Sequence, residues 1–332
     1  MTTERADDVL AHPGVRAWLA VDSRRRVPAQ VEVVKGLQGR RRIWRLAGAG
    51  PGGSAVIAKR CLRATAALER QVYERVLPRL PVSAPDYYGY LEEGDFAWVF
   101  LEDVGRQRIV FTDDVQRRLA GRWLGRLHVA AVDVVGPGDL PDRGLAHYRR
   151  LLAAGRASTE AGRHNPALRP GQRRVIEAVL RWLDAVEGEW SALEQFCRVF
   201  PPTLVHGDFR PRNLMVRAGR TQLRLCPIDW EFSGWGPVAP DLAPLRGPAL
   251  EPQVDPATYV SVARERWPDS DLATFREQVT AGGVLRWLAA VEWAAQGLAH
   301  PYLVKPVAYL EEYVPELLVA LAEAPWGRGR LP

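Results

Sequence analysis

The feature that most constrains this chain is a short polar cluster with fixed spacing. Residues 206 to 213 read His-Gly-Asp-Phe-Arg-Pro-Arg-Asn, and sixteen residues after Asn213 the apolar run Leu223 to Ile228 delivers Asp229, followed by Trp230 and Glu231. The runs 213–216 and 223–228 both have strand character. An Asp, an Asn five residues later and a second Asp at the end of a following strand supply one carboxylate for proton chemistry and two hard oxygen ligands. Such a donor set suits magnesium, which takes one or two carboxylates and completes its shell with water and substrate phosphates. Zinc would call for His or Cys.

Lysine usage adds a second constraint. Only Lys35, Lys59 and Lys305 are lysines; the other 42 of the 45 cations are arginines. Lys59 ends the apolar run Ala55-Val56-Ile57-Ala58, read as a buried strand, where a cation is expensive unless it is paired. A phosphate is one suitable partner for a compact ammonium. A strand-end lysine that reaches back to solvent is the alternative.

The pattern along the chain changes character near residue 104. Before it come an amphipathic segment over 6–20, strand-like runs at Val31 to Val34, Ile43 to Leu46 and the Lys59 strand, a helix over 65–77 stopped by Pro78, and the dense apolar run Phe96 to Leu101. After it the spacing predicts helices near 112–131, 144–154, 170–196, 255–266, 271–298 and 302–322, interrupted by a strand and loop cluster from Thr203 to about Leu245. Two lobes are expected, 1–104 and 105–332, with a hinge at about 101–105.

The catalytic-type cluster resembles the loop of the protein-kinase-like fold, H-R-D-L-x-x-x-N followed by D-F-G. Asp208 falls on the catalytic aspartate, Asn213 on the metal-binding asparagine and Asp229 on the metal-binding aspartate. With H-G-D in place of H-R-D, I-D-W-E in place of D-F-G, and Asp241-Leu242-Ala243 downstream, the chain is more similar to the aminoglycoside phosphotransferase and choline kinase branch, whose members phosphorylate small molecules. An A-P-E element after Asp229 is missing, which disfavours a protein substrate. The resemblance implies an α+β bilobal protein-kinase-like fold: a small antiparallel-sheet N-lobe with one helix, and a larger, mainly helical C-lobe.

The resemblance also implies roles. Lys59 would touch nucleotide phosphates, and Glu69 on the next helix would pair with it in preference to Glu74, which lies five residues on and so on another face. Glu102 and Val104 fall in the hinge whose backbone would bind adenine. Gly36 and Gly39 form a reduced two-glycine turn assigned to phosphate covering, with a plain hairpin turn as the alternative. Asn213 and Asp229 would hold Mg2+, Asp208 would orient the acceptor hydroxyl, Arg210 would stabilise charge on the transferred phosphoryl group, and His206 would brace the loop. The expected reaction moves the γ-phosphate of ATP to a hydroxyl of a small molecule such as an aminoglycoside-like antibiotic or an amino alcohol. A nucleotide-binding pseudokinase is the alternative, disfavoured because Lys59, Asp208, Asn213 and Asp229 are all present.

For the acceptor, Glu231 is the preferred contact because it shares the strand end with Asp229. Glu292 with Trp287 and Trp293, and the group Glu311, Glu312 and Glu316, read better as a buried helical stripe and the wet face of its neighbour.

Charge distribution argues against a nucleic-acid partner. The net charge is +6, but residues 1–248 carry 38 cations against 28 anions while 249–332 carry 7 against 11. The longest like-charge runs are the triplets at 24–26 and 40–42, neither interleaved with aromatics. Uncharged stretches fall short of the roughly 18 apolar residues of a spanning helix, and MTTERADDVL is too polar to open a signal peptide, so no membrane partner and a cytoplasmic location are expected. Cys61, Cys197 and Cys226 sit at no metal-ligand spacing and read as buried free thiols.

Overall fold

In chain order the elements are α1 (Ala6–Ala11), α2 (Pro13–Val21), β1 (Gln30–Gly36), β2 (Arg42–Ala47), β3 (Val56–Leu62), α3 (Arg63–Gln71), β4 (Tyr87–Glu93), β5 (Phe96–Glu102), α4 (Asp114–Ala131), α5 (Leu145–Arg163), α6 (Pro170–Gly188), α7 (Trp190–Cys197), β6 (Thr203–Val205), β7 (Leu214–Ala218), β8 (Leu223–Pro227), β9 (Gly234–Gly236), α8 (Ala239–Leu242), α9 (Pro256–Ala263), α10 (Leu272–Ala295) and α11 (Val304–Glu323). This computed structural model describes residues 6–22, 24–36, 42–219, 222–244, 253–299 and 304–324. The chain divides into two compact units: Met1–Val110 with Pro211–Phe232, and Phe111–Arg210 with Ser233–Pro332.

The first unit is built on a five-stranded antiparallel sheet in the order β1-β2-β3-β5-β4. β3 is the central strand, and its backbone partners fix Lys59 opposite Ile43 on one side and Val99 on the other. The strand residues Val56, Ala58 and Cys61 are buried, as are Ala97 to Leu101 of β5, so both faces of the middle of the sheet are covered. One core joins Val15 and Trp18 of α2 to Leu46, Val56, Trp98 and Phe100 of the sheet. The amphipathic segment over 6–20 is thus two helices, broken where the His12 side chain caps the second helix and Pro13 opens it. The 65–77 helix also differs from expectation. α3 ends at Gln71, Val72–Val76 continues as a π-helix, and Leu77–Arg79 closes as a 3-10 turn at Pro78. β4 was not legible in the sequence, because its residues are half-exposed without alternation and a bulge at Gly89, with φ 145, disrupts the register.

The same unit takes in the hairpin β7–β8, with Leu214 opposite Pro227 and Ala218 opposite Leu223. Met215 and Cys226 of this hairpin pack with Val104 and Ile228 in a small buried cluster.

The second unit is mainly helical. Its core gathers Tyr148 and Leu152 of α5, Ile176 to Val186 of α6, Trp190 and Leu193 of α7, Val284 to Val291 of α10 and Leu310 to Leu321 of α11. α10 is buried on most of its circumference, which is why its residues read as apolar all round. The 170–196 segment separates into α6 and α7 at Glu189, just past Gly188. α8 lies against α10 at Gly282, where an added Cβ would stand 1.9 Å from the Ala239 carbonyl oxygen. β6 and β9 pair as a short ribbon that leads into His206. All three cysteines are buried and none forms a disulfide. Among the described residues no helix is long and apolar enough to cross a membrane.

Candidate active site

In the first unit, β3 carries Lys59 into the protein at 5% exposure, and α3, which begins directly after the strand, brings back Glu69 at 1%. The Lys59 Nζ donates to Glu69 Oε1 at 2.6 Å and to Asp229 Oδ1 at 2.7 Å. Burying an ammonium and a carboxylate is tolerated only when each is paired, so the two carboxylates hold the lysine in place and are held by it. Glu74 is engaged elsewhere, accepting from Arg70 at 2.8 Å.

The hairpin β7–β8 explains how Asn213 and Asp229 come together. The Ile228 N–H donates to the Asn213 carbonyl at 2.8 Å, extending the β7–β8 ladder by one rung and setting the two residues at the same end of the hairpin. Asn213 is buried. Asp229 has φ 70, and it is the one non-glycine residue with positive φ among the described residues. A side chain in the left-handed region costs of order 1–3 kcal/mol and persists where surrounding structure fixes it. Here the turn falls where the strand ends and the carboxylate meets Lys59. Among the described residues there is no group of three or more His, Cys, Asp or Glu side chains suited to hold a metal. An amide and a carboxylate oxygen on neighbouring strand ends nonetheless fit magnesium, whose sites rely on one or two protein ligands plus phosphate and water.

In the second unit, β6 delivers the segment His206 to Arg210. Asp241 on α8 is fully buried, and its carboxylate accepts from the backbone N–H of His206 at 2.6 Å and of Gly207 at 2.8 Å. His128 of α4 places Nε2 3.4 Å from the same carboxylate and Nδ1 2.9 Å from the Tyr259 hydroxyl. Burial works to raise the Asp241 pKa, but the hydrogen bond and charge of His128 and the contacts with His206 outweigh it and hold the carboxyl below its ordinary value. Gly207, at φ 75, lets both successive amides turn onto one carboxylate. His206 Nδ1 in turn accepts from the Asp208 N–H at 3.2 Å, and Phe209 stacks on Trp123. The Asp208 side chain is 3% exposed and forms a short hydrogen-bonded ion pair with Arg210 Nε.

A family model described as the phosphotransferase enzyme family (APH) matches residues 31–283. The chain belongs to that family. It is a small-molecule kinase with the kinase-like fold that its lobes were expected to have. Among solved structures it is similar to spectinomycin phosphotransferase APH(9)-Ia in complex with ADP and spectinomycin, at 11% identity and TM-score 0.59 over 93% of this chain and 97% of that one. A GDP complex of an aminoglycoside 2'-phosphotransferase-IIIa variant superposes at 17% identity and TM-score 0.60 over 88% and 92%. An ethanolamine kinase from Plasmodium vivax gives 12% identity and TM-score 0.59 over 88% and 83%. A comparison with curated proteins finds no matching sequence.

The remaining sequence-selected residues of this phosphotransferase lie as follows. The Glu102 carboxylate accepts from Arg217 and, at 3.2 Å, from the Asp86 N–H, while Val104 is buried against Met215 and Cys226. Gly36 ends β1; Gly39, with Arg40 and Arg41, lies outside the described residues. Glu231 is half-buried two residues past Asp229. Trp287 sits in the helical core, whereas Trp293 is 57% exposed. Sequence reasoning missed His128 and Arg286. The Arg286 side chain on α10 is buried and donates to the carbonyls of Pro240, at 3.3 Å, and Ala243, clasping α8 and with it Asp241. Burial, followed by the nearby charge of Arg210, pushes the Arg286 pKa down to about 10. A histidine and an arginine in long helices carry no local mark of such roles.

Proposed function

We propose that this phosphotransferase moves the γ-phosphoryl group of ATP to a hydroxyl of a small molecule, an amino alcohol or an aminoglycoside-like compound, by in-line transfer. The observation that carries this reading is the buried Lys59, held at once by Glu69 and Asp229. A lysine fixed between two carboxylates is preorganised: when a nucleotide arrives, its phosphates can replace the Asp229 contact while Glu69 keeps the ammonium pointed at them. Residues 101–105 serve as the hinge between lobes 1–104 and 105–332, with the backbone around Glu102 and Val104 meeting the base.

Asn213 and Asp229 would hold Mg2+, which when bound neutralises charge on the phosphate oxygens. Asp208 orients the acceptor hydroxyl and takes its proton late in the step. Arg210, paired with Asp208, adds positive charge beside the transferred group. Glu231 contacts the acceptor. The ADP and GDP bound by two of the similar proteins, and the spectinomycin bound by one, support nucleotide use and a small hydroxylated acceptor as the first candidates to test.

The test is a coupled ADP-release screen over hydroxylated metabolites and antibiotics, with ATP and GTP compared, and Asp208→Asn as the blank. A hit gains the mass of one phosphate. Near-normal turnover by the Asp208→Asn protein would overturn the role given to Asp208.

A further inference from the structure

The first unit contains a cleft of about 400 Å3 that none of the residues assigned above lines. One wall is the helical stretch from Tyr73 to Pro78, and the other is the loop and strand start from Val82 to Tyr87. We propose that this cleft is a binding site for a small organic cation, an alkyl- or arylammonium, whose occupancy is felt at Lys59, Glu69 and Asp229.

The ligand class follows from the lining. Its ionisable groups are Glu74 and Asp86 together with the rings of Tyr73 and Tyr87; neither lysine nor arginine lines it. Carboxylates beside aromatic faces are the recognised surroundings of an ammonium group, which gains both Coulomb and ring-quadrupole attraction. Glu74 is paired with Arg70, but that pair is 35–42% exposed and so only weakly held. Asp86 forms no ion pair among the described residues, and its backbone rather than its carboxylate is engaged with Glu102.

The coupling follows from what the two walls are attached to. Tyr73 is 2% exposed and stands four residues past Glu69 on the same helical run. Residues at that spacing share a helix face, so one ring both lines the cleft and stands beside the lysine's partner Glu69. The same wall is the π-helical turn Val72–Val76, in which the Leu77 N–H reaches back to the Val72 carbonyl. Such turns inside a helix are uncommon and frequently functional. On the opposite wall, Ser83 Oγ donates to the Leu225 carbonyl at 2.6 Å, on the strand that leads to Asp229 two residues past its end. An occupant would therefore touch the continuation of the helix bearing Glu69 and a loop fastened to the strand bearing Asp229. It shifts their arrangement by as much as it prefers one arrangement over another.

The probe is phenyltrimethylammonium, which has no hydroxyl to phosphorylate, titrated calorimetrically into the full chain without nucleotide. Wild type is expected to bind at one site, and the Glu74→Gln/Asp86→Asn protein to bind about tenfold more weakly, a change of 1.4 kcal/mol. Tyr87→Leu, which removes a ring and no charge, is expected to weaken binding several-fold as an independent check. Hydrogen exchange should slow on binding across residues 72–87 and 225–229. Unchanged affinity in both variants, protection confined to other segments, or no binding at millimolar probe would each overturn the proposal. None of these outcomes depends on phosphoryl transfer.

Discussion

Lys59 and Asp229, 170 residues apart in sequence, are joined by a hydrogen-bonded ion pair of 2.7 Å. The contact ties the central strand of the sheet to the end of the β7–β8 hairpin, and Glu69 completes it from α3 at 2.6 Å. Because the Lys59 and Glu69 side chains are only 6% and 1% exposed, removing one charge strands the other in a region of low polarity. Lys59→Met is therefore expected to destabilise the first unit by about 3–5 kcal/mol. Lys59→Met combined with Glu69→Leu should cost less than Lys59→Met alone. Urea denaturation of the two single variants and the double variant measures the coupling, and purely additive losses would contradict it.

The left-handed backbone at Asp229 gives a separate test. Asparagine tolerates this conformation and a β-branched residue does not. Asp229→Asn and Asp229→Val both lose the charge that meets Lys59, so their difference gathers the backbone cost and the hydrogen bond that only the amide oxygen still accepts from Lys59. The valine protein should be less stable than the asparagine protein by about 1–2 kcal/mol, read as a shift in denaturation midpoint. Equal midpoints would mean that the turn carries no such strain.

Asp241 links pH to the second unit. Its native pKa is held below the ordinary value of 3.8, so the charged form is favoured by folding. The stability it contributes is complete above the unfolded value and is lost as pH falls below about 4 toward the lowered native value. Asp241→Asn should abolish this part of the acid transition, and it should cost about 1.5–3 kcal/mol at neutral pH because two amides lose a charged acceptor. Thermal unfolding of both proteins between pH 2.5 and 7, values chosen to bracket the ordinary aspartate range, checks the sign.

His147 works through the opposite kind of group but leads to the same side of the pH scale. Burial first, then the charges of Arg143 and Arg150, push its pKa down to about 4. The unfolded imidazole takes up its proton near pH 6.5 and the native one does not, so stability falls as pH drops from 6.5 toward 4. An NMR titration should find the His147 ring still neutral at pH 5.5, about one unit below the unperturbed value. A midpoint near 6.5 would refute the assignment.

Gly282 governs the seat of Asp241 at a distance. A methyl group there would meet the Ala239 carbonyl carbon at 2.4 Å and oxygen at 1.9 Å, and backbone cannot move aside as a flexible side chain can. Gly282→Ala should lower stability by roughly 1–3 kcal/mol. By pushing α8 from α10 it should also lower kcat more than KM, since Asp241 positions the His206–Asp208 segment. A stable variant with unchanged kinetics would show that α8 adjusts freely.

The candidate site residues stood out in the sequence because their information is local: fixed spacing around Asp208, a strand run before Lys59, another before Asp229. The change from strand-like to helical periodicity likewise marked a strand-rich first part and a mainly helical remainder, while the kinase-like α+β class was what the resemblance of the 206–231 cluster implied. Three-dimensional packing decided what spacing does not encode. It selected Glu69 for Lys59 and left Glu74 to Arg70, turned Asp229 into the left-handed region, split the amino-terminal and 170–196 segments into separate helices, and assembled His128, Asp241 and Arg286 from three helices around one loop. Those choices depend on which charges share a buried volume and which backbone atoms approach within a few ångströms, and that is a property of the folded chain, with no repeat or motif to announce it.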